Sequence, residues 1–135
     1  MAQSFQVKSK QRVAAHGEVF TAEREVKAMC DLVADECNRI DSRFLEPGCG
    51  DGNFLAEILS RKLATCQQKY GTPLLRPDYE RACVNAIMSI YGVELLPDNA
   101  RACRERLFKI WDEAYTRNCG PDDNDTCRSV VRFIL

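Results

Sequence analysis

The stretch Arg43-Phe44-Leu45-Glu46-Pro47-Gly48-Cys49-Gly50-Asp51-Gly52-Asn53-Phe54-Leu55 limits the possible folds more than any other part of the chain. A short apolar run that reads as a buried strand breaks into glycines at alternate positions and resumes as an apolar-periodic helix. The order is strand, tight turn, helix. A chain that leaves a strand and enters a helix within a few residues needs backbone angles that a Cβ penalises, and bare backbone lets a ligand approach closely. The new helix also presents unpaired N–H groups and the positive end of its dipole to the crevice. The turn is expected to line a nucleotide-type pocket.

Spacing narrows the ligand. A dinucleotide fold uses G-x-G-x-x-G, with the third glycine one helical step further on for close helix packing. Here Gly48, Gly50 and Gly52 form G-x-G-x-G, and Asn53 occupies the slot of that third glycine. Glu46 stands at the strand's end, just before the glycines. A carboxylate there repels a pyrophosphate and attracts the ammonium of a methionine moiety. The pattern E-x-G-x-G-x-G therefore favours S-adenosylmethionine over NAD.

The chain has 135 residues, enough for one small domain and at the small end for a complete nucleotide-binding α/β enzyme. With 19 basic and 20 acidic residues it has no electrostatic footprint for nucleic acid, so a DNA substrate would have to be gripped by other sequence. The eight cysteines contain no C-x-x-C pair and His16 is the only histidine, which argues against zinc. Cys30, Cys37, Cys66, Cys83 and Cys103 fall on apolar helical stripes, where a thiol behaves as a small hydrophobe. His16 is expected to cap or to face solvent. The amino terminus has no apolar leader and no stretch is long enough to span a membrane, so a reducing cytoplasm is expected.

In chain order, residues 1–15 read as a loose polar arm ahead of a single domain spanning 16–135. Thr21 is placed to cap a helix from about Ala22, with Val26, Met29, Cys30, Val33 and Cys37 as its apolar stripe. Phe54 to about Tyr70 forms the helix after the turn, and Gly71-Thr72-Pro73 stops it. A second helical pattern starts near Pro77, an insertion relative to a simple βαβ unit. Tyr91-Gly92-Val93-Glu94 is the second strand. Its final acid, Glu94, stands where a nucleoside-binding fold sets a carboxylate on the two ribose hydroxyls. Pro97-Asp98-Asn99-Ala100 opens a further helix, on which Arg101, Arg104, Arg106 and Lys109 read as a weak phosphate-facing patch or, more commonly for such a pattern, a solvated face. Asp125 or Thr126 caps a last segment whose helical or strand character the pattern leaves open.

Three blocks in this order, Gly17-Glu18-Val19-Phe20-Thr21, then Phe44 to Leu55, then Tyr91-Gly92-Val93-Glu94-Leu95-Leu96-Pro97-Asp98, resemble the amino-terminal part of the DNA adenine methyltransferases of bacterial restriction–modification systems. The likeness covers roughly residues 12–112. It implies a partial Rossmann-like class I methyltransferase fold, α/β and helix-rich, with a short parallel sheet. It places Phe20 and Thr21 against the methionine end of S-adenosylmethionine. Glu46, Pro47, Gly48, Gly50 and Gly52 would surround methionine and ribose, with Asn53 and Phe54 at the helix start, Glu94 on the ribose and Leu95 beside the adenine. Ala22 stands where many members have Pro, and Gly48 where many have a small residue such as Ala.

Methylation of an exocyclic amine needs a flipped base stacked on an aromatic ring, with acceptors that polarise the amine. The family supplies these from Asn-Pro-Pro-Tyr or a near relative, which does not occur in these 135 residues. The expectation is therefore the cofactor-binding front half of such an enzyme, without a nameable catalytic residue and inactive alone. DNA is the partner of the complete enzyme, and the unpaired sheet edge invites self-association. The alternative is a stand-alone, non-catalytic binding or regulatory module built on the same half-fold.

Overall fold

The computed structural model describes residues 6–122 and 125–135. The chain is helix-rich with one two-stranded parallel sheet. After α1 (Lys10–His16), α2 (Glu23–Asp31) and α3 (Ala34–Asn38) come strand β1 (Phe44–Pro47) and the long helix α4 (Asn53–Tyr70). A 3-10 turn (Pro73–Leu75) leads into α5 (Arg76–Met88), strand β2 (Ile90–Val93), α6 (Pro97–Cys119) and α7 (Thr126–Ile134). The strands pair in parallel from Phe44 opposite Ile90 to Pro47 opposite Val93, so that β2 begins and ends one residue earlier than the expected Tyr91–Glu94. The crossover between them runs through both α4 and α5, as parallel pairing requires a long connection.

The larger core lies between α4, α5, α6 and α7 and centres on Trp111, with Leu59, Cys66, Cys83, Ala86, Tyr115 and Val131 around it. The five cysteines expected on apolar stripes are all buried. The last segment is helical, and Asp125 caps it by accepting from the Cys127 and Arg128 amides. The acidic run before it includes Asp123 and Asn124, which lie outside the described residues.

Two expectations at the amino-terminal side change. Thr21 caps nothing, because the first residue before α2 is Ala22 and no side chain bonds the helix start. The single helix expected over Ala22 to Cys37 is two, α2 and α3, separated at Leu32 and Val33. Val26 and Cys30 from α2 and Cys37 from α3 meet Ile58 of α4 in one small cluster, while Met29 and Val33, expected inside, are exposed.

The arm expected over residues 1–15 is also ordered where it is described. Ser9 caps α1, Gly17 ends it in a left-handed conformation, and the segment is tied to the start of α6. Residues 1–5 lie outside the described residues.

Lys62 shows how packing overrides pattern. Its ammonium is fully buried and donates to the carbonyls of Arg39, Ile40 and Ser42 and to the Ser42 hydroxyl, which fastens the loop before β1 to α4. Burial pushes it down to about 8, still charged at neutral pH.

Candidate functional site

The glycine turn is built as the sequence predicts. Gly48, Gly50 and Gly52 have φ of 83°, 56° and 89°, so every second residue takes the left-handed conformation that side chains disfavour. The turn is stitched to the end of β2. The Gly48 and Cys49 amides both donate to the Val93 carbonyl, at 2.7 and 2.9 Å, and the Gly50 amide donates to Glu94 Oε2 at 2.8 Å. Glu94 Oε1 accepts from the Leu96 amide at 2.8 Å. Each carboxylate oxygen has two acceptor sites, so one remains on each oxygen for an incoming hydroxyl.

A segment from Ala15 to Thr21 lies across this turn like a strap. The Phe20 ring rests on Gly50, where an added Cβ would stand 3.0 Å from its Cε1. Between strap, turn and the β2 end is a cleft of about 510 Å3, within the roughly 300–1,000 Å3 of small-ligand sites. It gathers Phe20, Thr21, Glu46, Gly48, Gly50, Asn53, Phe54, Glu94 and Leu95. Two expected residues stand outside its wall. Pro47 ends β1 with its ring exposed, and Gly52 is buried at the start of α4, where an added Cβ would come within 2.6 Å of Cys103 Sγ. Gly52 thus serves packing against α6.

Comparison with family models, with curated proteins and with solved structures finds no match.

The two acids in the cleft differ in kind. Glu94 is held by two backbone amides. Glu46 has no hydrogen bond and no ion pair among the described residues, and burial alone pushes its carboxyl up. An unpartnered, half-buried carboxylate at a cleft wall favours a cationic group on whatever enters.

Several residues that shape the site carried no signal in the sequence. Gly92, on β2, has Cys49 Sγ and Leu55 Cδ1 each 2.8 Å from where its Cβ would be, so only glycine lets the turn close on the strand. The strap is latched to α6 by Arg12, which donates to Glu18 Oε2 at 2.5 Å and Asp98 Oδ2 at 2.8 Å, and by Asn99, which donates to Glu18 Oε1 at 2.6 Å. The hydrogen bonds from Arg12 hold Asp98 down to about 2 and lower Glu18 as well. The partners on the strap side and on α6 are separated by more than 80 residues, so no local pattern announces them. His16 sits exposed in the last turn of α1, at the cleft's edge. No three His, Cys, Asp or Glu residues are gathered as metal ligands, and no helix is long and apolar enough to cross a membrane, among the described residues.

Proposed function

We propose that this chain is the S-adenosylmethionine-binding part of a DNA adenine methyltransferase of the restriction–modification type. The observation that carries the reading is the convergence of Glu46, Glu94 and the strap residues Phe20 and Thr21 on one cleft beside the glycine turn. The state of the turn's amides supports a sulfonium nucleoside over a dinucleotide. Phosphate cradles use free N–H groups, whereas Gly48, Cys49 and Gly50 spend theirs on Val93 and Glu94. Two carboxylates facing the cleft also oppose a pyrophosphate.

In this reading Glu46 attracts the ammonium of the methionine moiety, and the free acceptor sites of Glu94 take the ribose hydroxyls. Phe20 covers the ligand from the strap side, and Leu95 supplies apolar contact. When bound, the cofactor supplies an electrophilic methyl group on a sulfonium. DNA is the partner this reading implies, in the company of sequence that carries the acceptors and aromatic ring for the target base. Exposed Leu45, Tyr91 and Val93 on the sheet support further strand pairing or self-association. A reducing cytoplasm suits eight free thiols.

Calorimetric titration with S-adenosylmethionine, S-adenosylhomocysteine and NAD tests the assignment. Both sulfur nucleosides should bind and NAD should not. Glu94→Ala should weaken binding by about tenfold or more, the effect of losing hydrogen bonds to a charged acceptor, and Gly50→Val should abolish it by displacing Phe20. Binding of NAD with none of either sulfur nucleoside would overturn the reading.

A further inference from the structure

Asn53 is the first residue of α4, and its side-chain amide joins three parts of the molecule. Its Nδ2 donates to the Thr21 carbonyl of the strap at 3.0 Å, and its Oδ1 accepts from Arg106 NH1 of α6 at 2.6 Å. A carboxamide has nearly the same shape when turned by 180°, so its environment must choose which end faces the strap. A guanidinium has only donors. Arg106 therefore donates to the oxygen end alone, and that choice aims the NH2 group at Thr21.

The same guanidinium does a second task. Asp51, between the left-handed Gly50 and Gly52, has a buried Oδ1 that makes no hydrogen bond, the one such side-chain atom among the described residues. Arg106 NH1 lies 3.7 Å from it, the only ion-pair partner of Asp51 among the described residues. Behind this wall is a second cavity of about 520 Å3, bordered by Phe20, Thr21, Asp51, Asn53 and Arg106. The Phe20–Thr21–Asn53 partition thus has open space on both sides, and besides Asn53 it is held by Lys8 over the Phe20 ring and by the Phe20 amide on the Gln6 carbonyl.

We propose that Arg106 is a positioning residue for the cleft: by orienting the Asn53 amide and balancing Asp51, it fixes the Thr21 carbonyl and keeps Phe20 over Gly50. The purpose of that positioning rests on the nucleoside reading above, but the positioning itself is a property of the unliganded protein. Arg106 acts through Asn53, on the opposite side of the partition from the cleft.

Amide hydrogen exchange on the full chain without ligand tests the positioning, and titration with S-adenosylhomocysteine tests its consequence. Arg106→Ala should speed exchange of the Phe20 amide, which donates to the Gln6 carbonyl, by about tenfold, the effect of one lost charged hydrogen bond. Protection in α5 should be unchanged. Asn53→Asp should do the same although its ion pair with Arg106 is stronger, because a carboxylate cannot donate to Thr21. Arg106→Lys, which keeps the charge and a donor, should restore most of the protection, and Arg104→Ala, an exposed change on the same helix, should have no effect. Affinity for S-adenosylhomocysteine should fall in Arg106→Ala and Asn53→Asp and recover in Arg106→Lys.

Unchanged Phe20 exchange in Arg106→Ala, or equal loss in the Ala and Lys variants, would overturn the proposal. So would faster exchange throughout the molecule with α5 included, which assigns Arg106 to general stability. If the wild type binds no sulfur nucleoside while the exchange pattern holds, the ligand assignment falls and the positioning stands.

Discussion

Around Trp111 the buried polar groups are hydrogen-bonded, while at the glycine turn the Glu46 carboxylate has no partner and one Asp51 oxygen has no hydrogen bond among the described residues. Trp111 Nε1 donates to the Cys83 carbonyl at 2.9 Å, its ring stacks on Tyr115 with centroids 4.5 Å apart, and Tyr79 donates to the Ala114 carbonyl. Buried Arg128 donates to Asp112, Thr116 and two carbonyls and covers the Tyr115 ring. At the other end stand three left-handed glycines, an unpartnered Glu46 and an Asp51 oxygen without a hydrogen bond. The close-packed, fully bonded groups collect at the helical end, where most of the stability is expected, and the groups without partners collect where a ligand could use them.

The contrast is measurable. Trp111→Ala should destabilise the chain most, by about 3–5 kcal/mol, as expected for removing a fully buried aromatic ring. Urea unfolding reads this directly, and a loss under 1 kcal/mol would mean that the helical end is not the stable one.

The glycines of the turn should differ among themselves. Gly52→Ala combines left-handed strain with a clash against Cys103, for about 3 kcal/mol in all, whereas Gly48→Ala meets open space and should cost only the strain, about 1 kcal/mol. Equal losses in urea would show that contact with α6 is not what requires glycine at position 52.

The smallest effect has the opposite sign. The Glu46 carboxyl is raised in the folded protein, so the folded state holds that proton more tightly than the unfolded chain. Its contribution to stability is complete below the unfolded value near 4.3 and is lost as pH rises through the raised folded value. At pH 7 Glu46→Gln should therefore melt slightly above the wild type, while at pH 4 the difference should shrink. The same variant should bind S-adenosylmethionine more weakly. A lower melting temperature at pH 7 would mean that Glu46 already has a partner.

The strand, turn and helix from Phe44 to Tyr70, the second strand and the helix from Pro97 were legible in the residues, because glycine spacing, apolar periodicity and a leading proline act within a few residues of backbone. The gathering of seven of the nine expected residues around one cleft follows from those elements once β1 and β2 pair, and Phe20 and Thr21 join them when the strap docks. The break between α2 and α3, the buried Lys62, the docked strap and the link from Arg106 through Asn53 to Thr21 had no such signal. Each depends on side chains 20 to more than 80 positions apart, so its energy exists only after the helices have packed. Glu94 marks the boundary: its place at the end of a strand is written in the local pattern, but its grip on the Gly50 amide arises only when the turn closes over β2.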